Sequence, residues 1–107
     1  DVDNGSQIAV VFRVYNNYSE EKSLERVYLE SQRGKIYAAE NKMPVTIKPK
    51  KFFDCIFAIK SKQMLEELES GNGKYVIQEG KMIYEMSVTE ATRREIAVYL
   101  KYFKEDN

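Results

Sequence analysis

Side chains that could do chemistry are few in this sequence, and their spacing suits no catalytic or metal-binding arrangement. Histidine is absent, and Cys55 is the single cysteine among the 107 residues. A histidine-paired nucleophile and a zinc site of cysteine and histidine are therefore excluded. Asp54 lies in an apolar stretch with no acidic partner nearby in sequence. It fits a strand edge, or a pair with lysine or tyrosine, better than a catalytic acid with a raised pKa.

Loops that could hold a phosphate or a calcium ion are also missing. Gly71-Asn72-Gly73 lacks the lysine and the serine or threonine that complete a phosphate-binding loop. Residues 1–5 resemble the start of a calcium loop, but Phe12 stands where a glutamate is required. We therefore expect a protein that is not an enzyme and has no metal and no cofactor.

A basic and aromatic segment is a candidate for ligand contact. Lys48, Lys50, Lys51 and Phe52 could combine phosphate contacts with a stacking surface for single-stranded nucleic acid. The alternative is that these lysines only solvate and protect strand ends. The formal net charge of the chain is zero, so a nucleic acid would have to bind such a local patch.

Residues 51–60 form the longest nearly uninterrupted apolar run, and we expect the other elements to be organised around it. One set of alternate positions is Phe53, Cys55, Phe57 and Ile59, and the other set is also largely apolar. This pattern predicts a central strand that is covered on both faces. Cys55 is interpreted as a small buried hydrophobic residue.

One helix is predicted after this strand. Ser61 can cap its start, Gly71 can end it, and an apolar stripe includes Leu65 and Leu68. Residues 94–103 fit either a helix or a strand, and their β-branched and aromatic content favours a strand.

The remaining strands follow from alternation and turn signals. Residues 74–78 and 81–88 predict a hairpin with Glu79-Gly80 as its turn, which places Tyr75 opposite Tyr84. The other predicted strands are residues 8–15, 24–30, 35–39 and 45–48.

Seven or eight short strands in about 100 residues predict a mostly β domain, an immunoglobulin-like β-sandwich with one short helix near residues 61–70. A five-stranded oligonucleotide-binding barrel, which often carries one helix, is the alternative.

A long first strand ends in Asn16-Asn17, and Ile47-Lys48-Pro49-Lys50-Lys51 leads into a hydrophobic strand. This order resembles disulfide-free immunoglobulin-like accessory domains of bacterial surface proteins, over roughly residues 8–60. The resemblance implies a non-catalytic role and assigns no site residue.

The chain is expected to be a single domain over residues 1–107, with a loose end at residues 1–6. It begins without methionine, which predicts a piece excised from a longer chain, and no apolar run reaches the ~18 residues of a membrane span. The cell surface or the outside of the cell is favoured over the cytoplasm. Asn4 and Asn17 lie in glycosylation sequons that matter only in a secreting eukaryote.

The leading hypothesis is a non-catalytic module that binds a protein, with single-stranded nucleic-acid binding as the alternative. Zero net charge also leaves little electrostatic resistance to weak self-association. The predicted edge strands offer unpaired backbone groups to a partner. Their candidate contact residues are Lys35, Tyr37, Val45 and Lys48.

Overall fold

Short alternating segments make up much of the chain, so strands dominate its architecture. The computed structural model describes residues 7–38 and 43–102. The predicted loose end at residues 1–6, the sequon at Asn4 and the end of the third predicted strand at Ala39 lie outside these residues. The described elements, in chain order, are β1 (Ile8–Tyr15), β2 (Lys22–Ser31), β3 (Gly34–Tyr37), β4 (Val45–Ile47), β5 (Phe52–Ile59), α1 (Lys62–Glu69), β6 (Lys74–Glu79), β7 (Met82–Ser87) and α2 (Glu90–Leu100).

The strands form two antiparallel sheets. β1 pairs with β5 in a two-stranded sheet, and the larger sheet has the order β3-β2-β6-β7, with β4 also paired to β2. The prediction of a mostly β domain with a helix near residues 61–70 is confirmed, and its immunoglobulin-like character stays a prediction. Within the described residues, the strands do not pair into the single closed sheet of a barrel.

The hydrophobic core lies between the two sheets and contains an aromatic cluster. Phe57 of β5 is its largest fully buried side chain, and its ring centroid lies 5.8 Å from that of Tyr75 on β6. Phe12 of β1 stacks on the same tyrosine at 4.1 Å. These contacts join the two sheets, and burial raises the pKa of Tyr75 to about 12.

The apolar run of residues 51–60 is a strand, β5, but it is not the centre of a sheet. Cys55, Phe57 and Ile59 are fully buried, as the alternation predicts. The opposite face is open, because Phe52 and Ile56 are exposed. The prediction that both faces are covered is therefore wrong, and within the described chain β5 pairs with β1 alone.

Helix α1 agrees with its prediction. The Ser61 hydroxyl accepts a hydrogen bond from the Met64 amide at 3.2 Å, which caps the first turn. Met64, Leu65 and Leu68 are buried, and Gly71 follows the helix with a φ of +93°. The apolar stripe therefore attaches a short helix that would be marginal alone.

The hairpin of β6 and β7 is present, but its register differs from the predicted one. Glu79 pairs with Met82, so the turn is Gly80-Lys81. Gly80 has a φ of +58°, a left-handed conformation that glycine adopts readily and that tight hairpin turns require. The predicted pairing of Tyr75 with Tyr84 is therefore wrong by two positions.

The segment for which a strand is favoured, residues 94–103, is helical up to Leu100. The Thr89 hydroxyl caps α2 by accepting a hydrogen bond from the Thr92 amide at 3.2 Å. Ile96 is buried, and Arg93 Nε donates to the Glu69 carbonyl of α1 at 3.0 Å. The strand prediction is wrong because capping and burial of one helical face override the local β propensity.

Candidate functional site

The outward side of the β1–β5 sheet carries a row of exposed large side chains. Residues adjacent in a strand point to opposite sides, so side chains between those of the core point into solvent. Val11 is 53% exposed and Phe52 is 50% exposed. Three cross-strand pairs form this surface, which we call the outer face: Val11 with Ile56, Arg13 with Asp54, and Tyr15 with Phe52.

An ion pair lies at the middle of the outer face. Arg13 Nε lies 2.8 Å from Asp54 Oδ1, and Arg13 Nη2 lies 3.1 Å from Asp54 Oδ2, so the pair is bidentate. The guanidinium carbon also lies 3.7 Å from the Phe52 ring centroid. The hydrogen bonds from Arg13 lower the pKa of Asp54 and raise that of the guanidinium. Asp54 is thus a paired carboxylate whose pKa is lowered, and its partner is an arginine.

The predicted basic and aromatic segment lies at one end of the outer face. Lys48, Lys51 and Phe52 line a shallow recess of about 240 Å³. Lys50, which has a φ of +63°, turns its ammonium group away to the Asn17 carbonyl, at 2.7 Å. The fold therefore brings three of these four residues together.

Asn16, at the predicted end of the first strand, makes the hydrogen bonds that join the segments at this end of the outer face. Its side chain is buried, and its Nδ2 donates to the carbonyls of Glu20 and Ile47, both at 2.8 Å. Its backbone exchanges two hydrogen bonds of 2.9 Å with the segment before β5, to Lys51 and from Lys50. Asparagine directly after a strongly alternating strand is the sequence signal for such a site, but it is weak.

The predicted contact edge divides into separate parts. β3 and β4 both pair with β2 on the side away from β6, so both are edge strands within the described residues. Lys35 and Tyr37 lie together around Tyr28, with the Lys35 ammonium 4.6 Å from its ring and the Tyr37 ring at 5.4 Å. Val45 packs against the core, and Lys48 lies beside Phe52 instead.

A half-buried polar network closes one end of the larger sheet. The Tyr84 hydroxyl donates to a Glu79 carboxylate oxygen that also lies 3.0 Å from the Lys22 ammonium. Burial, and then Glu79, raise the pKa of Tyr84, so this phenol remains protonated at neutral pH. The network fits a structural role better than acid–base chemistry.

The Cys55 thiol and the acidic side chains of the described residues form no reactive or metal-binding site either. Burial raises the pKa of the Cys55 thiol to about 11, which removes its nucleophilic form at neutral pH. The described residues contain no cluster of three side chains that could hold a metal ion. In the same part of the chain, no helix is both long and apolar enough to span a membrane.

Comparisons with protein-family models, with curated proteins and with solved structures found no match to this chain.

Proposed function

We propose that this domain is a non-catalytic module that binds another protein through the outer face of the β1–β5 sheet. The observation that carries the proposal is the exposed apolar surface of Val11, Ile56, Tyr15 and Phe52. These side chains surround Arg13, which is paired with Asp54. Contiguous exposed apolar surface marks interaction sites, and aromatic residues with arginine are enriched where binding energy is concentrated.

The outer face is also partly pre-organised for a partner. Its side chains stand on paired strands, and Arg13 is fixed by two hydrogen bonds to Asp54 and by the Phe52 ring. A partner would lose little side-chain entropy of this surface on binding, which favours affinity.

The charges around the face indicate the chemistry of the partner. The pair of Arg13 with Asp54 is internally neutralised, whereas Lys48 and Lys51 stand at the Phe52 end. A complementary protein would offer apolar side chains to Val11, Ile56, Tyr15 and Phe52, on either side of the ion pair, and carboxylates to the end with the lysines. The resemblance to immunoglobulin-like accessory domains of bacterial surface proteins supports the same non-catalytic role.

A photo-crosslinking residue placed at Ile56, in cells that make the protein naturally, tests this proposal. We expect one covalent adduct of defined mass that is absent when the same residue stands at exposed Gln63 on α1. A second substitution, Val11→Glu, should abolish the adduct because it puts a charge into the apolar contact. The matched control is Val98→Glu on α2, since Val98 is 55% exposed and Val11 is 53% exposed.

Three results would contradict the proposal: no adduct at Ile56, the same adducts at Gln63, or equal losses with both valine variants. The variants should fold normally, because exposed substitutions usually change stability by less than about 0.5 kcal/mol.

Single-stranded nucleic acid is the second candidate, favoured by Lys48 and Lys51 beside Phe52. Against it, Arg13 already covers the Phe52 ring, and its guanidinium is paired with Asp54 and not available to a phosphate. Titration with a labelled oligonucleotide decides between the two candidates. Nucleic-acid binding would give affinity that falls steeply with salt, whereas protein binding predicts no association even at low salt.

A further inference from the structure

Strand β7 presents an exposed and unprotected sheet edge. It pairs with β6 on one side, and within the described residues no strand covers its other side. Five of its six residues are exposed, among them Met82, Ile83 and Met86. Its ladder with β6 runs without a bulge from Met82 to Ser87. Bulges, prolines and inward charges normally protect such edges, and β7 has none of them.

The opposite edge of the same sheet is different. β3 and β4 share that edge but cover different parts of β2, so it is not one continuous strand. The two edges of the sheet are therefore unequal, and β7 is the one suited to pairing with another strand.

We propose that β7 pairs antiparallel with β7 of a second copy of this chain, with Ile83 opposite Ile83 at a two-fold axis. Two five-stranded sheets would then join into one continuous sheet of ten strands. Such pairing satisfies backbone groups that are otherwise open to solvent, and a two-fold axis closes the assembly at two copies.

Charge complementarity favours a second copy as the partner, with the axis at Ile83. Glu85 stands two positions after Ile83 in β7, and Lys81 stands two positions before Ile83, as the last residue of the turn. Each Lys81 would therefore lie at the end of the new strand pair, opposite the partner's Glu85. Moving the axis to residue 81 or to residue 85 would place like charges opposite each other, which is unfavourable. The axis at Ile83 forms this ion pair twice.

The new ion pairs would extend a row of alternating charges that already crosses the solvent side of the larger, five-stranded sheet. Lys35 pairs in register with Glu30, which lies 3.9 Å from the Lys74 ammonium. Lys74 in turn lies 2.8 Å from Glu85. A lysine from the partner would be the next charge in this row, so Glu85 is held where a second cation would meet it.

Sedimentation equilibrium of the purified chain tests the inference. The wild type should show a weight-average mass that rises with concentration from 12.5 kDa towards twice that value. Lys81→Glu and Glu85→Lys should each weaken self-association by about tenfold or more, because each places two like-charge pairs at the axis. An equimolar mixture of the two variants should restore wild-type association, since every pair is then opposite in sign.

The inference is overturned by a wild type that stays monomeric at all concentrations, as expected if β7 accepts a strand from another protein. It is also overturned if the single variants dimerise as the wild type does, or if the mixture fails to recover. Val11→Glu, which alters the outer face, should leave the dimer unchanged. Loss of the dimer in this variant would assign self-association to the outer face and not to β7.

A covalent version of the experiment can trap a dimer that is too weak to measure at equilibrium. Ile83→Cys should form a disulfide-linked dimer under mild oxidation, because opposite side chains in a strand pair lie within about 4.5–5.5 Å at Cβ. Val98→Cys is the matched control, since that valine is also exposed, and Cys55 is buried and should not react. Equal crosslinking of both variants would contradict the proposed axis.

Discussion

Replacement of Phe57 by alanine is expected to lower the free energy of unfolding by about 3–5 kcal/mol. Phe57 is 0% exposed and lies between the two sheets, against Tyr75. Its loss removes apolar burial and leaves a cavity that the surrounding strands can fill only partly. Because whole domains have about 5–15 kcal/mol of stability, the variant should be barely folded. Urea denaturation followed by circular dichroism measures the change.

Phe52 supplies the matched control on the same strand. It is 50% exposed and points to the outer face, where its contacts are with Arg13 and Tyr15. Phe52→Ala should cost about 1 kcal/mol or less. Equal losses from the two substitutions would show that β5 does not present one face to the core and the other to solvent.

Cys55 is a native residue whose reaction with a thiol reagent reports on the same unfolding equilibrium. Its thiol is fully buried, and its pKa is raised to about 11, so a thiol reagent should not label the folded wild type. In Phe57→Ala, labelling should follow the larger unfolded fraction. Rapid labelling of a folded wild type would contradict the burial of this face.

The alternation of β5 identified its buried face, but it could not show whether the other face is also covered. Phe52 and Ile56 lie on the exposed outer face, and in sequence they cannot be distinguished from residues under a second layer. The partner that makes the difference is β1, whose Arg13 lies 41 positions from Asp54. Strand pairing at such separation leaves no local pattern.

Local conformational preferences explain the other differences. In the hairpin, the positive φ of Gly80 places the turn at Gly80-Lys81, whereas apolar pairing alone favours the earlier register, because the observed one pairs Val76 with Glu85. In α2, the Thr89 cap and the contact of Arg93 with α1 decide for a helix. The first is a one-residue backbone preference, and the second depends on tertiary contacts.

The candidate site could be predicted from the sequence only in part, because part of it depends on tertiary contacts. Lys48, Lys51 and Phe52 are neighbours in sequence, so their proximity could be expected. Val11 and Tyr15 join them only through the register of β1 with β5. Asn16 was missed because a buried asparagine in a turn has the same composition signal as an exposed one.

Asn16→Asp is expected to destabilise the domain by about 3 kcal/mol or more at neutral pH, since each orphaned buried polar group costs about 1–3 kcal/mol. The Asn16 amide nitrogen donates to the carbonyls of Glu20 and Ile47, and its oxygen accepts from the Tyr18 amide at 3.0 Å. An aspartate would lose both donated bonds and place a buried negative charge against two carbonyl oxygens. Thermal and urea denaturation measure the loss.

The pH dependence of this variant separates the buried charge from a simple loss of packing. Without a cationic partner, burial should raise the pKa of the introduced carboxyl group in the folded state above its unfolded value. The deficit relative to wild type should therefore be largest above the folded pKa and shrink as the pH falls to about 5 and below. Asn17→Asp is the matched control, because Asn17 is the adjacent, exposed asparagine. This substitution should change the stability very little, both at neutral pH and at about pH 5. Equal losses at the two positions, or a deficit in Asn16→Asp that does not change with pH, would mean that the Asn16 side chain does not join the turn after β1 to the end of β4.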